Sequence, residues 1–334
     1  MSFPVVLKFN KLKPNYIAFL GDPDPAYKGA LGANHVSTME TTPQDEDIEL
    51  FARTKVWAEN KQPFVTLHYA GETLKTLYPS PYADPLIQQS LICLCETCLK
   101  PLLSDYQLSR HCLKCYANCP PGKEIYRDGE WSVWEVDGNE AVLYCRSVCL
   151  LAKLFLQSKA LYYDVETFMF YVLTRRIDRG HSFVGYFSKG KSYTSFEPQQ
   201  PIQNVSCITV VPIPQNKGLG QFLIDFSYLL TRVQQTVGSP ERPLSGLGLR
   251  AYNSYWKYVI SRFFLECKAE ELSISELSRQ TSLTVNDIVY VLELLGWLDM
   301  TRLLFDREVA QEIVHRWRRN QKILIKPENL MWSL

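Results

Sequence analysis

Four side chains between residues 95 and 115 have the types and the spacing of a metal site. The spacing is Cys-x2-Cys-x12-His-x3-Cys, and the predicted ligands are Cys95, Cys98, His111 and Cys115. Nitrogen and sulfur ligands of this kind bind zinc tetrahedrally. Because protein fills all four positions, the pattern predicts a structural Zn2+, with a helix over residues 106–115 presenting the second pair. Cys93 and Cys119 stay open as alternative ligands, and buried free cysteines are the alternative to a metal.

A second pattern, over residues 207–221, predicts a strand, a glycine turn and a helix. Gly218 and Gly220 would let the backbone approach a ligand closely. The free N–H groups of the first helical turn, aided by the helix dipole, favour an anion such as a pyrophosphate. A tight turn without a ligand is the alternative. Neither a dinucleotide-binding motif nor a P-loop fits, because the acidic residue of the former and the Gly-Lys-Ser/Thr of the latter are missing.

Composition narrows the class of protein. The 36 Lys and Arg residues nearly balance the 35 Asp and Glu residues, which argues against a protein held to nucleic acid by bulk charge. Ten cysteines without a recognisable secretory leader favour a reducing compartment, where clustered thiols more often bind metal than pair. No apolar run reaches the roughly 18 residues of a membrane span, so no membrane partner is expected.

The elements that must position these residues follow from apolar periodicity and turn residues. Strands are predicted at 64–69, 141–145, 168–173, 183–187 and 208–211. The turn signal at residues 178–180 joins the third and fourth of these into a hairpin. Residues 190–204 are polar and predict an exposed loop. Two capping boxes, Ser273-x-x-Glu276 and Thr284-x-x-Asp287, predict short helices near the C-terminal end.

Together, the motifs from about residue 76 onward resemble the MYST histone acetyltransferases. The segments that carry the resemblance are 76–82 (TLYPSPY), 121–127 (PGKEIYR), 144–156 (YCRSVCLLAKLFL), 159–165 (KALYYDV), 185–189 (GYFSK), 226–228 (FSY) and 238–248 (GSPERPLSGLG). The resemblance implies an α+β fold: a GNAT-like acetyltransferase core, an N-terminal zinc-finger subdomain and a C-terminal helix-turn-helix-like segment. The expected divisions are 1–65 of uncertain structure, 66–130 for the zinc finger, 131–265 for the catalytic core and 266–334 for the C-terminal subdomain.

The resemblance also implies the site of a protein-lysine acetyltransferase that uses acetyl-CoA. Glu241 corresponds to the family's general base, Cys207 to its strand cysteine, and Lys159 to its self-acetylated lysine. The implied cofactor contacts are Ile208, Thr209, Val210, Gln215, Asn216, Lys217, Gly218, Leu219, Gly220, Gln221, Ser245 and Ser254. Direct attack of the amine is favoured over a covalent acetyl-Cys207, because a cysteine on a core strand is often only a small apolar residue.

Two departures from the family pattern lie in the glycine loop. Asn216 stands where the family usually has arginine, and Gln221 where it often has lysine, so weaker cofactor binding is expected. These changes support one alternative function, a catalytically weak scaffold of a chromatin complex. A small-molecule acetyltransferase is a third hypothesis, but it would not explain the zinc finger.

Partners and location are implied by the same resemblance. Histones or nucleosomes are the expected substrates, accessory subunits of a chromatin complex the expected partners, and the nucleus the expected location. A basic patch near the C-terminal end, Arg316, Arg318, Arg319 and Lys322, predicts at most a weak DNA contact. The alternative for that patch is a solvated helix face.

Overall fold

The computed structural model describes residues 6–9, 16–20, 65–88, 90–156, 164–191, 202–268, 271–299, 302–321 and 323–332. Within these ranges, no helix combines the length and the apolar character needed to cross a bilayer. The described chain mixes helices with several sheets, so the predicted α+β class is confirmed.

The strands are β1 (Val6–Phe9), β2 (Tyr16–Leu20), β3 (Thr66–Tyr69), β4 (Glu72–Lys75), β5 (Leu91–Leu94), β6 (Pro101–Leu102), β7 (Lys123–Asp128), β8 (Trp131–Asp137), β9 (Phe168–Ile177), β10 (Gly180–Gly190), β11 (Ile202–Val205), β12 (Cys207–Val210), β13 (Gly238–Pro240), β14 (Glu271–Ser273), β15 (Leu298–Asp299) and β16 (Arg302–Leu304). The α-helices are α1 (Asp84–Gln88), α2 (Asp105–Cys112), α3 (Val142–Lys153), α4 (Leu219–Val233), α5 (Gly246–Glu266), α6 (Ile274–Thr281), α7 (Val285–Leu294) and α8 (Arg307–Asn320).

The central sheet is antiparallel, with strand order β12-β10-β9-β8-β7. Its longest hairpin, β9–β10, turns at residues 178–179, where the sequence predicted it. Gly180 follows that turn with φ of +129°, and a Cβ there would lie 2.1 Å from Asn118 O. Only glycine therefore allows the hairpin to lie so close to the segment that follows the predicted zinc ligands.

Both faces of this sheet are covered. Because successive side chains of a strand point to opposite faces, Val172 packs into one core and its neighbour Tyr171 into the other. The first core includes α3 and strands β3 and β5, and the second includes α4. Helix α4, which begins at the glycine loop, is thus anchored against the sheet along its length, with Phe222 and Phe226 buried.

Two predicted elements are wrong. The strand predicted at 141–145 is the start of α3, where Cys145, Val148, Cys149 and Ala152 bury one helical face. A run of five apolar residues is too short to distinguish a strand from a helix. The distinction requires a longer segment, in which the helical period of 3.6 residues becomes visible. The predicted loop 190–204 ends earlier than expected, because residues 202–205 form β11 with Asn204 and Val205 buried. Residues 192–201 lie outside the described residues.

A separate aromatic core joins α5, α6, α7 and α8, with Trp256 and Trp317 among its buried side chains. Both predicted helix caps are present: Ser273 Oγ accepts from Glu276 N at 3.0 Å, and Thr284 Oγ1 accepts from Asp287 N at 3.2 Å. The adjoining sheet has the order β14-β1-β2-β16-β15. Strands from the two ends of the chain therefore pair in one sheet.

Candidate active site and metal centre

The four predicted zinc ligands converge. The ligand atoms of Cys95, Cys98, His111 and Cys115 all lie within 4.8 Å of one another, and Cys98 Sγ is 3.2 Å from His111 Nε2. Hydrogen bonding between the two thiols lowers the pKa of Cys95 and raises that of Cys98. Zinc binds cysteine as the thiolate, so all three thiols would lose their protons on metal binding. Three thiols and an imidazole at these separations fit a closed tetrahedral zinc site.

The helix that presents His111 is shorter than predicted. It ends at Cys112, and Lys114 N donates to His111 O at 2.9 Å just beyond it. Cys115 therefore lies in the loop that follows the helix. No residue of α2 is buried. The beginning of α2 is held by Asp105, whose Oδ1 lies 2.6 Å from His68 Nδ1 and accepts from Cys93 Sγ at 3.5 Å. Cys93, one of the alternative ligands, thus faces Asp105.

The glycine loop (residues 215–221) presents backbone to solvent at the start of α4. Gly218 caps the helix with φ of +88°, a left-handed conformation that glycine adopts without strain. Gly220 has no such requirement, and a Cβ built on it would meet nothing within 4 Å. Glycine within a helix costs up to about 1 kcal/mol of stability relative to alanine, yet no neighbouring protein atom would clash with an alanine side chain here. The open space over a helix N-terminus fits a phosphate group that approaches the backbone.

Most other side chains of this loop are engaged within the protein. Asn216 is buried, and its Nδ2 donates to Val211 O at 3.0 Å. Gln221 uses both ends of its amide: Nε2 donates to Ala251 O at 2.9 Å, and Oε1 accepts from Trp317 Nε1 at 2.9 Å. Gln215 Nε2 donates to Glu72 Oε1 at 3.3 Å, and Leu219 is fully buried. Lys217 is exposed.

Strand β12 is the edge of the central sheet next to this loop. Val211 N donates to Val184 O at 2.9 Å, just beyond the four paired positions of β12 and β10. Alternation along an antiparallel ladder then points the N–H groups of Ile208 and Val210 away from β10. Thr209, between them, is nearly buried. The strand can therefore offer two backbone donors to a ligand at its outer edge.

Glu241 and Cys207 are brought to the same place by the backbone. Strand β13 pairs in parallel with β11, and Glu241 N donates to Val205 O at 2.8 Å, two residues before Cys207. The side chain of Glu241 is exposed, and that of Cys207 is half-buried at the border of the sheet core. The backbone of Glu241 is therefore held two residues before the start of β12.

The remaining predicted site residues lie on α5 or outside the described chain. Ser245 caps α5, and its Oγ accepts from Gly248 N at 3.1 Å. Ser254 is exposed on α5, three residues after Ala251, whose carbonyl accepts from Gln221. Both serines are therefore on the helix that faces the start of α4. Lys159 falls outside the described residues.

Two contacts that hold the Glu241 segment have no local signature in the sequence. Gly238 N donates to Ser282 O at 3.0 Å, and Gly238 forms a parallel bridge with Leu283. The guanidinium of Arg242 bonds Asp287 Oδ1 at 2.7 Å. Each pair is separated by more than forty residues of chain, so only the folded structure reveals it.

Known proteins are similar to this sequence. Residues 119–330, more than half of the chain, match the model of the MOZ/SAS family. Histone acetyltransferase mst2 of Schizosaccharomyces pombe is 36% identical over 339 residues, covering 93% of this chain and 82% of that protein. Histone acetyltransferase SAS3 of Saccharomyces cerevisiae is 42% identical over 318 residues, covering 84% of this chain. Histone acetyltransferase KAT6A of Homo sapiens is 43% identical over 272 residues, covering 80% of it.

The fraction of each relative's own length that this chain covers differs widely. The chain covers 82% of mst2, but only 37% of SAS3 and 13% of KAT6A. The order of strand, glycine loop and helix, the Cys/His group and the matches agree with one another. The chain therefore belongs to the MOZ/SAS family, and the resemblance of its motifs to the MYST histone acetyltransferases is confirmed.

Proposed function

We propose that this chain transfers an acetyl group from acetyl-CoA to the ε-amine of histone tail lysines, with Glu241 as general base. The observation that supports the proposal most directly is the hydrogen bond from Glu241 N to Val205 O, two residues before β12, the edge strand of the central sheet. That edge leads through Val211 directly into the glycine loop and α4. The proposed base, the backbone donors of β12 and the proposed anion site therefore belong to neighbouring segments of backbone.

The proposed chemistry divides among these groups. Acetyl-CoA supplies the acyl group as an activated thioester. A lysine amine is protonated near neutral pH, so Glu241 takes a proton from it, directly or through water, before the nitrogen attacks the carbonyl carbon. A backbone N–H at the outer edge of β12 stabilises the oxyanion. The C–S bond then breaks, leaving acetyl-lysine and the CoA thiolate, which takes up a proton.

The proposed cofactor contacts use the backbone more than the side chains. The first-turn N–H groups of α4 and the Gly218–Gly220 backbone would bind the pyrophosphate, with exposed Lys217 as the nearby cation. Because Asn216 and Gln221 are bonded to other protein groups, we infer that their side chains shape the site and do not touch the phosphates. Residues 208–210, Ser245 and Ser254 complete the proposed set.

Cys207 is proposed as a neighbour of the reacting carbonyl, not as a covalent carrier. Its side chain packs partly against the sheet core, as a small apolar residue would. Cys207→Ser is therefore expected to keep measurable acetyl transfer in a steady-state assay. An isolable acetyl-Cys207 intermediate, with complete loss of activity in the serine variant, would contradict direct attack by the amine.

The finer architecture is also proposed. The sheet from β7 to β12, with α4, forms the GNAT-like core, and the helix pair α6–α7 forms the helix-turn-helix-like element. The four divisions, 1–65, 66–130, 131–265 and 266–334, follow from that assignment. The zinc is structural, since four protein ligands leave no open coordination position.

Histones or nucleosomes, accessory subunits and a nuclear location are proposed from the relatives, which are named histone acetyltransferases. Self-acetylation of Lys159 is proposed from the family motif alone. A DNA contact through the C-terminal patch is proposed as weak, because Arg316 already pairs with Glu312. Lys322 of that patch lies outside the described residues.

The acceptor class is tested by presenting radiolabelled acetyl-CoA to zinc-loaded protein with either core histones or small amines such as spermidine. Label on histone at a rate well above that on the small amines is the expected result. Preferential labelling of the small amines would replace the proposal with the small-molecule acetyltransferase. Absence of label on both, in protein that binds acetyl-CoA, would favour the catalytically weak scaffold.

A further inference from the structure

The segment that carries Glu241 is clamped between the catalytic sheet and the C-terminal helix pair (α6 and α7). On one side, β13 pairs with β11, and Glu241 N donates to Val205 O. On the other side, Gly238 N donates to Ser282 O in the turn between α6 and α7. The backbone leading to Glu241 is thus fixed on both edges before the exposed loop begins.

The residue after Glu241 continues this attachment through its side chain. Arg242 bonds Asp287 Oδ1 at 2.7 Å, and its Cζ lies 5.7 Å from the ring centroid of Trp256. Asp287 is only 1% exposed, whereas Arg242 is 53% exposed. A buried carboxylate needs a positive partner, so Asp287 holds the guanidinium firmly even though the arginine reaches solvent.

Asp287 is placed for this contact by the helix that it begins. Thr284 caps α7 by accepting from Asp287 N. In a reciprocal capping box the carboxylate at this position would return to the backbone of the cap residue. Here Oδ1 bonds Arg242, and Oδ2 has no hydrogen-bond partner among the described residues. The Asp287 carboxylate therefore binds the segment that carries Glu241 and does not complete the cap of its own helix.

The same arrangement is unsuited to reading DNA. In a helix-turn-helix, the beginning of the second helix contacts bases, and Lys and Arg contact the phosphates. Helix α7 contains neither Lys nor Arg, and carries Asp287 and Glu293. Its beginning is occupied by the Arg242 contact. On α6, Arg279 pairs with Glu276.

We propose that the helix pair positions the general base: Asp287, acting through Arg242, fixes the loop that places the Glu241 carboxylate over the lysine amine. Arg242 and Asp287 are positioning residues, and the turn at Ser282 supports β13 beside them. The inference rests on the proposed role of Glu241. Loss of the pair leaves the glycine loop intact, and Ser245 keeps its own attachment as the cap of α5. It therefore lowers the rate of transfer and spares acetyl-CoA binding.

Steady-state kinetics with a histone tail peptide test the proposal in variants of the full chain. Arg242→Met is expected to lower kcat on the order of 10-fold to 100-fold with KM for acetyl-CoA within about 2-fold, since small displacements of a catalytic group have effects of that size. Arg242→Lys should recover most of kcat, because it restores the cation. Arg279→Met is the matched control, because Arg279 is exposed and pairs with Glu276 of its own helix, and it should leave kcat unchanged.

The double variant separates positioning from general stability. In the Glu241→Gln background, Arg242→Met should cause no further loss, because there is no base left to position. An equal further loss there, an unchanged kcat in Arg242→Met, or no recovery with lysine would each overturn the proposal. If Glu241→Gln alone is fully active, the base assignment fails instead, which is a different result.

Folding is checked in the same preparations by hydrogen exchange. Arg242→Met should increase exchange in the peptide containing residues 238–245 and leave β9 and β10 protected. Should this variant unfold, Arg242→Gln is measured in the same way, since its amide can still donate to Asp287 without the charge. Unchanged exchange in residues 238–245 would count against a positioning role.

Discussion

At the scale of single residues, the glycine loop separates side chains that stabilise the protein from backbone left for a ligand. Asn216 and Gln221 replace the charged residues usual in the family, and both are hydrogen-bonded within the protein. Gln221 links α4 to α5 and α8, three helices of different parts of the chain. A sequence comparison can register the lost charge, but only the structure shows that these amides have other partners.

Gly220 offers the sharpest test at this scale. Gly220→Ala is expected to leave the free energy of unfolding unchanged or raise it by up to about 1 kcal/mol, because alanine favours helix and no atom lies within 4 Å of its Cβ. Its Kd for acetyl-CoA, measured by calorimetry, should rise roughly 10-fold, equivalent to about 1.4 kcal/mol, since the methyl group enters the proposed phosphate space. Gly190→Ala on β10 is the control, where a Cβ meets only the Phe168 ring at 4.0 Å. Equal affinity of the wild-type chain, Gly220→Ala and Gly190→Ala for acetyl-CoA would contradict a phosphate site at the start of α4.

At the scale of elements, local signals predict what local forces decide. The β9–β10 hairpin and the caps of α6 and α7 depend on residues close in sequence, and they were predicted correctly. The start of α3 was mistaken for a strand because its helical face becomes visible only over twelve residues. The parallel pairing of β11 with β13 depends on contacts between distant segments, so no short pattern could have predicted it.

Helix α2 provides a test of the metal at the scale of elements. It has eight residues and buries none of them, far below the roughly 12–15 residues that an isolated helix needs in water. Beyond its Ser104 cap, the helix therefore depends on its ligand His111, the neighbouring ligands and the contact of Asp105 with His68. Removal of zinc by a chelator is expected to expose α2 to hydrogen exchange and to lower Tm by roughly 10 °C, corresponding to several kcal/mol.

Metal content gives the control for that experiment. Cys98→Ser should lose the zinc measured by mass spectrometry, whereas Cys267→Ser, at a cysteine remote from the ligand group, should retain one equivalent. A demetallated protein with unchanged circular dichroism and unchanged Tm would contradict a structural role for the zinc.

At the scale of the whole molecule, the proposed site is assembled from distant parts of the chain. The strand edge, the glycine loop and Glu241 come from three segments, and the C-terminal helix pair holds the third of them. Motifs in the sequence identified each group by its type, and the family resemblance supplied their roles. How they are held together, through Val205, Ser282 and Asp287, could not be predicted, because each of these residues contacts a segment that is distant in the sequence.

We propose that the glycine loop binds acetyl-CoA and that Glu241 removes a proton from the acceptor lysine. The most direct measurement pairs calorimetry of acetyl-CoA with single-turnover acetyl transfer to a histone tail peptide, for the wild-type chain and Glu241→Gln. The account predicts Kd within about 2-fold and transfer at least 100-fold slower in the variant, the usual contribution of a general base. Transfer at the wild-type rate, or loss of binding in step with loss of transfer, would contradict it.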